Sequence, residues 1–411
     1  MLTAEDNELL TRIGPGTPAG EYFRRYWHPV AMLPEISAEA PTKFVRILGE
    51  DLVLFLDKSG NVGLIGDHCP HRGASLLYGR VEERGIACAY HGWLYDTQGN
   101  CLETPAEPAG SLLHLTVKHK AYPVREHYGM YWTYMGPLPA PVLPRYDLAE
   151  MGPIHAIKLT PQFDCNWLQI LENHVDQSHP PILHQDTEGG AKAVNTTRGR
   201  IDEVTEMEYL ETPWGIRRRQ ERKGWADLDL IAFPCTQRIF NDFSIKVPID
   251  DTHTRQYSIY TEMPLDGSDK ADRASTHAIE YYLESPGDGK TPSDAIHPFA
   301  RYRMDLLRFQ DVMALETQGP IADRTVERLA TADRGVVLLR EMLKREIEKV
   351  QRGLDPLGVV REPGEEVIDT LFPRYVELVE KGEIRPPVYR TGGTRLYSSE
   401  PGLNPRSEWL G

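Results

Sequence analysis

The apolar positions of this chain fall into two regimes. From Lys43 to about Tyr134, short apolar runs alternate with turn residues: FVRIL, LVLFLD, VGLIG, IACAYHGWLYD and GMYWTYM. Runs of this length, bounded by Gly, Pro, Asn and Asp, predict β-strands. Strand-like runs continue to about residue 285, among them GIRRRQER, DLIAFPCTQRIF and STHAIEYYLE. The last third changes period. A helix is expected over 302–318 and another over RGVVLLREMLKREIEKVQ, where apolar residues recur at three- and four-residue spacing.

Punctuation divides these regimes. Residues 1–35 read as a helical arm and lead-in, broken by Gly14, Pro15, Gly16 and Pro18. The Pro-rich stretch GPLPAPVLPRYD (136–147) reads as a linker. The expected organisation is an arm (1–35), an all-β domain (36–145) and an α+β domain (146–411), an α+β chain overall. There is no internal repeat and no low-complexity tract.

Composition narrows the function classes. A net charge of −15 over 411 residues argues against nucleic acid and against a polybasic membrane contact. The opening MLTAEDNELL has neither the basic nor the apolar region of a signal peptide. No stretch approaches the roughly 20 apolar residues of a membrane span. Five cysteines, an odd and sparse count, do not form a disulfide framework. These features predict a cytoplasmic protein with free thiols.

The chemistry starts in CPHRGASLLYGRVEERGIACAYHGW, Cys69 to Trp93. It holds Cys69-x-His71 and Cys88-x-x-His91. Two thiols and two imidazoles in two short pairs point to a metal. Zinc fingers usually pair Cys with Cys and His with His, whereas each loop here offers one of each. That mixture suits a [2Fe–2S] cluster with two Cys on one iron and two His on the other. Zinc is the competing occupant.

The segment resembles the Rieske cluster motif, including Gly73, Gly92 and Trp93. The resemblance implies that Cys69 and Cys88 hold one iron and His71 and His91 the other. It also implies a potential of roughly −150 to +300 mV. Rieske proteins of respiratory complexes carry a disulfide between the two loops. Ala74 and Tyr90 stand at those places here, so the resemblance is to the oxygenase-type branch.

A second motif lies in CNWLQILENHVDQSHPPILH: Glu172-x₃-Asp176-x₂-His179-x₄-His184. If 166–179 is helical, Asp176 and His179 share a face one turn apart. Pro180 and Pro181 then end the helix and His184 returns from beyond it. Downstream, Met304, Leu307, Asp311 and Leu315 form one stripe of the expected helix, which sets Asp311 in an apolar face. A buried carboxylate needs a cation, either a metal or an Arg such as Arg308. Asp305 and Glu316 are the alternatives on the same helix.

Together the two motifs resemble Rieske non-haem iron oxygenases of the phthalate-dioxygenase type, including O-demethylating members. The resemblance implies an antiparallel catalytic sheet covered by helices. It implies a mononuclear Fe(II) held by His179, His184 and Asp311, with Asp176 relaying between the two metal centres. It further implies O₂ as co-substrate and an aromatic, carboxylated substrate, taken to ring dihydroxylation or to O-demethylation. In such a homotrimer the cluster of one subunit faces the iron of the next, bridged from His71 or His91 to Asp176. The chain has no G-x-G-x-x-G after a strand and no plant-type ferredoxin spacing, so electrons are expected from a separate NAD(P)H-dependent reductase or ferredoxin. A Rieske electron carrier without oxygenase activity and a zinc-stabilised binding protein are the competing functions.

For substrate binding, Arg217 and Arg219 are expected on one strand face and Arg218 on the other. One of these faces is a candidate anion fork. Asn173 is a candidate to orient the relay or the substrate. His68 is read as shaping its loop, His174 is given no role, and Cys165 and Cys235 are read as buried small apolar residues.

Overall fold

The computed structural model describes residues 1–151, 154–184, 204–222, 225–239, 242–261, 279–283, 290–291, 301–302, 304, 307–382 and 394–397. The chain divides into two compact units. One is Arg24–Ala140. The other is discontinuous, Met1–Phe23 together with Pro141–Gly411.

The first unit is built from small antiparallel sheets. Thr42–Ile47, Glu50–Leu56, Val62–Gly66 and Ala121–Tyr122 form one in that order. Arg80–Glu82, Gly85–Ala87, Leu94–Tyr95 and Cys101–Glu103 form a second. A third orders Trp27–Met32, Met130–Tyr134 and Val124–His127. Val53, Phe55, Ile65, Leu76, Ile86 and Tyr95 pack into one core that also takes in Cys69, Cys88 and Cys101.

The second unit is organised on a nine-stranded sheet. Its spatial order is Val204–Thr212, Gly215–Arg222, Trp225–Ala232, Thr236–Ile239, Asp242–Asp250, His253–Thr261, Ile154–Leu159, Glu280–Leu283 and Thr394–Tyr397. Neighbours are antiparallel except Ile154–Leu159 with Glu280–Leu283. The helices used below are α1 (Ala4–Thr11), α2 (Pro18–Phe23), α3 (Trp167–Val175), α4 (Leu307–Glu316) and α5 (Arg334–Gln351). Helix α5 matches the expected segment and buries Val336, Leu339, Leu343, Ile347 and Val350 along one stripe. Among the described residues no helix is long and apolar enough to cross a membrane.

Several elements differ from expectation for identifiable reasons. The arm over 1–35 is divided between the units. Phe23 meets Trp167 edge-on at 4.7 Å, Asn7 and Arg324 exchange a hydrogen bond, and Lys344 pairs with Asp6. These contacts tie α1 and α2 to the second unit. DLIAFPCTQRIF is two strands rather than one, turning at Phe233–Cys235, where Pro234 has no N–H to donate to a ladder. Helix α3 stops at Val175, and Asp176 is extended. The prolines open a new helical turn, Pro180–Leu183, with His179 and His184 flanking it. Helix α4 starts at Leu307, because Arg301–Tyr302 pairs with Lys290–Thr291 as a strand. Met304 is therefore exposed, and the buried residues of the helix include Phe309, Gln310, Val312 and Leu315.

Candidate active site

In the first unit the two motif loops close in the same way. The Cys69 N–H donates to Ala74 O and the Gly73 N–H to Cys69 O, at 2.9 and 2.8 Å. The Cys88 N–H donates to Trp93 O and the Gly92 N–H to Cys88 O, both at 2.9 Å. Gly73 and Gly92 sit at φ +75° and +72°, a left-handed conformation that a side chain would strain. That is why glycine stands four residues after each cysteine.

The four side chains sort into two pairs. Cys69 and Cys88 are buried in the core, while His71 is exposed and His91 half-buried. The His71 and His91 rings lie 4.5 Å apart, and Trp93 stacks flat on His71 at 4.4 Å. Burial pushes the Cys69 thiol up, against a hydrogen bond from Tyr95 at 3.3 Å. A thiol so placed becomes a metal ligand only when a cation compensates its charge. Among the described residues, the one His/Cys/Asp/Glu group of three or more whose donor atoms all lie within 4.8 Å of one another is elsewhere, so these four do not converge on a point. Four ligands round a single tetrahedral ion would have to converge. Two separated pairs fit a two-metal core. No disulfide joins the loops, and all five cysteines are free.

The convergent group is His179, His184 and Asp311. Asn166 sets the first part of its frame. It caps α3 by accepting from the Leu168 N–H at 3.1 Å, and its amide ties the cap to Thr11 O and Asp251 O. Beyond α3, Asp176 Oδ1 accepts from the Ser178 N–H at 2.7 Å and Oδ2 lies 3.2 Å from His179 Nδ1. His184, 2% exposed, has its Nδ1 at 2.7 Å from Gln310 Oε1. Asp311 Oδ1 lies 3.5 Å from His179 Nε2 and 3.2 Å from His184 Nε2. That oxygen is buried and accepts no hydrogen bond of good geometry.

Electrostatics agree with this picture. Burial alone would raise the Asp311 carboxyl, but His179 and His184 outweigh it and hold it well below the usual carboxylate range. Burial alone would lower His179, but Asp176 and Asp311 outweigh it and raise it. An orphaned, ionised oxygen facing two imidazole nitrogens is a donor set for a divalent cation, and two His with one carboxylate suit iron(II).

Of the alternatives, Glu316 is engaged elsewhere. It accepts from the Asp164 N–H and the Tyr302 hydroxyl at 3.0 and 2.7 Å. Asp305 lies outside the described residues. Arg308 sits over the rings of Phe163 and Phe309.

The trio opens on a cavity of about 260 Å³. Phe163, Ile170 and Leu315 supply apolar walls, and Asn173 and Arg308 stand beside the trio. The floor is a polar ladder of the sheet. Gln237, Ser244 and Ser258 stand opposite one another on three strands, Lys246 opposes Gln256, and Asp242 opposes Tyr260. Asp242, Ser244 and Lys246 alternate along one strand, so they share its face.

Of Arg217, Arg218 and Arg219, it is Arg218 that lines the cavity, but its guanidinium is bonded to Asp229 and to His174 O. Arg217 reaches Glu208 instead. The cation that sequence reading missed is Lys246. It is 1% exposed, and among the described residues its ammonium donates to neutral oxygens, Gln237 Oε1 at 3.5 Å and Ser244 O at 3.4 Å. Burial pushes its ammonium down to about 7. The available signal was a lysine inside the otherwise strand-like run DFSIKVPID. Gln310 was also missed, because a glutamine beside a carboxylate carries no pattern of its own. Asn173 Nδ2 lies 3.4 Å from His179 Nε2. His68 Nδ1 meets Gly73 O at 3.0 Å and thus braces its loop.

Comparisons with known proteins place the chain in a family. Residues 26–123 match the Rieske [2Fe-2S] domain. The chain is 36% identical over 374 residues to the 5,5'-dehydrodivanillate O-demethylase oxygenase subunit of Sphingobium sp. (strain NBRC 103272 / SYK-6), covering 88% of this chain and 84% of that protein. It is 33% identical to the phthalate 4,5-dioxygenase oxygenase subunit of Pseudomonas putida, covering 93% of each. Its fold is similar to the terminal oxygenase of carbazole 1,9a-dioxygenase from Nocardioides aromaticivorans IC177, with TM-score 0.58 and 19% identity over 84% of this chain and 98% of that one. The chain belongs to the Rieske non-haem iron oxygenases, as an oxygenase subunit of the branch that holds phthalate dioxygenase and O-demethylase components.

Proposed function

We propose that this oxygenase hydroxylates a carboxylated aromatic compound, using O₂ and electrons from a separate NAD(P)H-dependent reductase or ferredoxin in the cytoplasm. The observation that carries the reading is the orphaned Asp311 oxygen facing two imidazoles at the wall of a cavity, in a chain that also contains a Rieske domain. Cys69, Cys88, His71 and His91 would hold the [2Fe–2S] cluster, which passes electrons singly. His179, His184 and Asp311 would hold a mononuclear iron(II), whose remaining coordination positions serve O₂ chemistry. Asp176 keeps the proton of His179 on Nδ1 and so turns Nε2 towards the trio. The exposed His71 suits a handover between subunits, from the cluster of one to Asp176 of the next in a head-to-tail homotrimer.

The relatives named above act on phthalate and dehydrodivanillate, and the cavity supports a substrate of that kind through Lys246. A buried ammonium whose bonds among the described residues go to neutral oxygens favours an anionic ligand. Lys246→Met should weaken binding of an aromatic acid roughly 10- to 100-fold, the worth of one charge-assisted hydrogen bond, and leave its methyl ester unaffected. Binding the anion requires the ammonium form. Affinity of the wild type should therefore fall as pH rises past about 7, and that dependence should vanish in the variant. Equal losses for acid and ester would remove Lys246 from this role.

Tyr95 donates towards a cluster sulfur, and such a bond favours the more negative, reduced state. Tyr95→Phe should lower the midpoint potential by about 20–60 mV, the one-electron equivalent of a 0.5–1.5 kcal/mol hydrogen bond. Potentiometry followed by EPR reads this directly, and an unchanged potential counts against Cys69 as a ligand.

The function itself is tested with the full chain, iron(II) and a reductase, offered aromatic acids and aryl methyl ethers. Substrate-dependent O₂ uptake is expected, and released formaldehyde identifies O-demethylation. A cluster that reduces and reoxidises with no substrate dependence across the set would point to an electron carrier.

A further inference from the structure

We infer that Gln310 is a positioning residue that fixes His184 in its Nδ1–H tautomer and so presents the Nε2 lone pair to the metal trio. The inference rests on the assignment of His184 as a ligand in the proposed function. It follows from the order of donors and acceptors. Gln310 Nε2 lies 2.6 Å from Met304 O. A backbone carbonyl only accepts, so the amide must place its NH₂ there. Its carbonyl end then faces His184 Nδ1, at 2.7 Å. An oxygen acceptor at that distance requires the proton on Nδ1, and the other ring nitrogen is left with its lone pair. That nitrogen is the one 3.2 Å from Asp311 Oδ1.

Gln310 and Asp311 are consecutive residues of α4, so one turn of helix addresses both nitrogens of the same imidazole. Gln310 is 4% exposed, so its amide is held among protein atoms. The two ligand histidines are thereby held by different chemistry, His179 by a carboxylate and His184 by a neutral amide. A neutral partner fixes the ring without adding a second negative charge beside Asp311.

Two variants separate this role from simple support of the Met304 turn. Gln310→Glu keeps an oxygen for His184 but has no N–H for Met304 O. Gln310→Leu loses both. Iron(II) affinity of the mononuclear site is measured by chelator competition on the cluster-loaded full chain. The Leu variant should bind iron(II) about 10- to 100-fold more weakly, and the Glu variant should stay within a few-fold of wild type. Equal losses in both variants, or no loss in the Leu variant, would overturn the inference. In the iron-free wild type, ¹⁵N NMR of labelled histidine should show His184 protonated at Nδ1, and an Nε2–H tautomer would also overturn it. If the wild type takes up no iron(II) at His179 and His184 at all, the proposed function falls as well, which makes the two failures distinguishable.

Discussion

Asp311→Ala should remove the mononuclear iron and with it all substrate-dependent O₂ uptake, while the cluster keeps its reduced-state EPR signal. The carboxylate is the trio's negative charge, held ionised by its two histidine neighbours. Without it only the two imidazoles remain, and the divalent ion loses its one anionic oxygen donor. The loss to turnover should be on the order of a thousandfold or more, the scale of a metal's several kcal/mol of transition-state stabilisation. Metal analysis, with the cluster contribution subtracted by its absorbance, checks the claim. Retained mononuclear iron would transfer the role to another carboxylate, with Asp305 the next to replace.

Asp176→Asn should be nearly as severe for a different reason. The two oxygens of Asp176 serve different partners, the Ser178 N–H and His179 Nδ1. An amide has one oxygen to offer. If that oxygen stays on Ser178, the NH₂ faces His179 and forces its proton to Nε2, the nitrogen that must face the metal. If the amide flips, its NH₂ opposes the Ser178 N–H. Iron(II) should bind roughly 10- to 100-fold more weakly. Saturating iron(II) should restore occupancy but not turnover, because the carboxylate proposed to connect the two centres is gone. Reoxidation of the reduced cluster in a single turnover with substrate and O₂ should slow by at least a hundredfold. Normal reoxidation in the iron-saturated variant would end the relay assignment.

Much of the geometry around these residues was legible in the chain because it lies in short local patterns. The loops around Cys69 and Cys88 close on themselves within six residues, so their spacing is a direct image of their geometry. His179 and His184 flank a single helical turn, and five residues suffice to read it. Asp311 was reached through its helix, although the stripe that suggested it was mis-registered: Met304 lies before α4 and is exposed. What stayed hidden depends on long-range partners. Arg218 is spoken for by Asp229, which stands opposite it on the next strand, and no local pattern shows this. Lys246 became visible as a buried cation only once its strand had neighbours on both sides. The division of residues 1–35 was hidden for the same reason, since Phe23 and Trp167 are distant in the chain.

That division has a consequence for synthesis. Residues 1–23 leave the ribosome well before Trp167, Arg324 and Lys344, which hold them. At about 5–20 residues per second the arm waits roughly 15–60 s for Lys344. During that interval Arg24–Ala140 can already be complete and take its cluster. The contiguous unit can thus close before the discontinuous one, whose α1 and α2 complete their contacts only after Lys344 has been made.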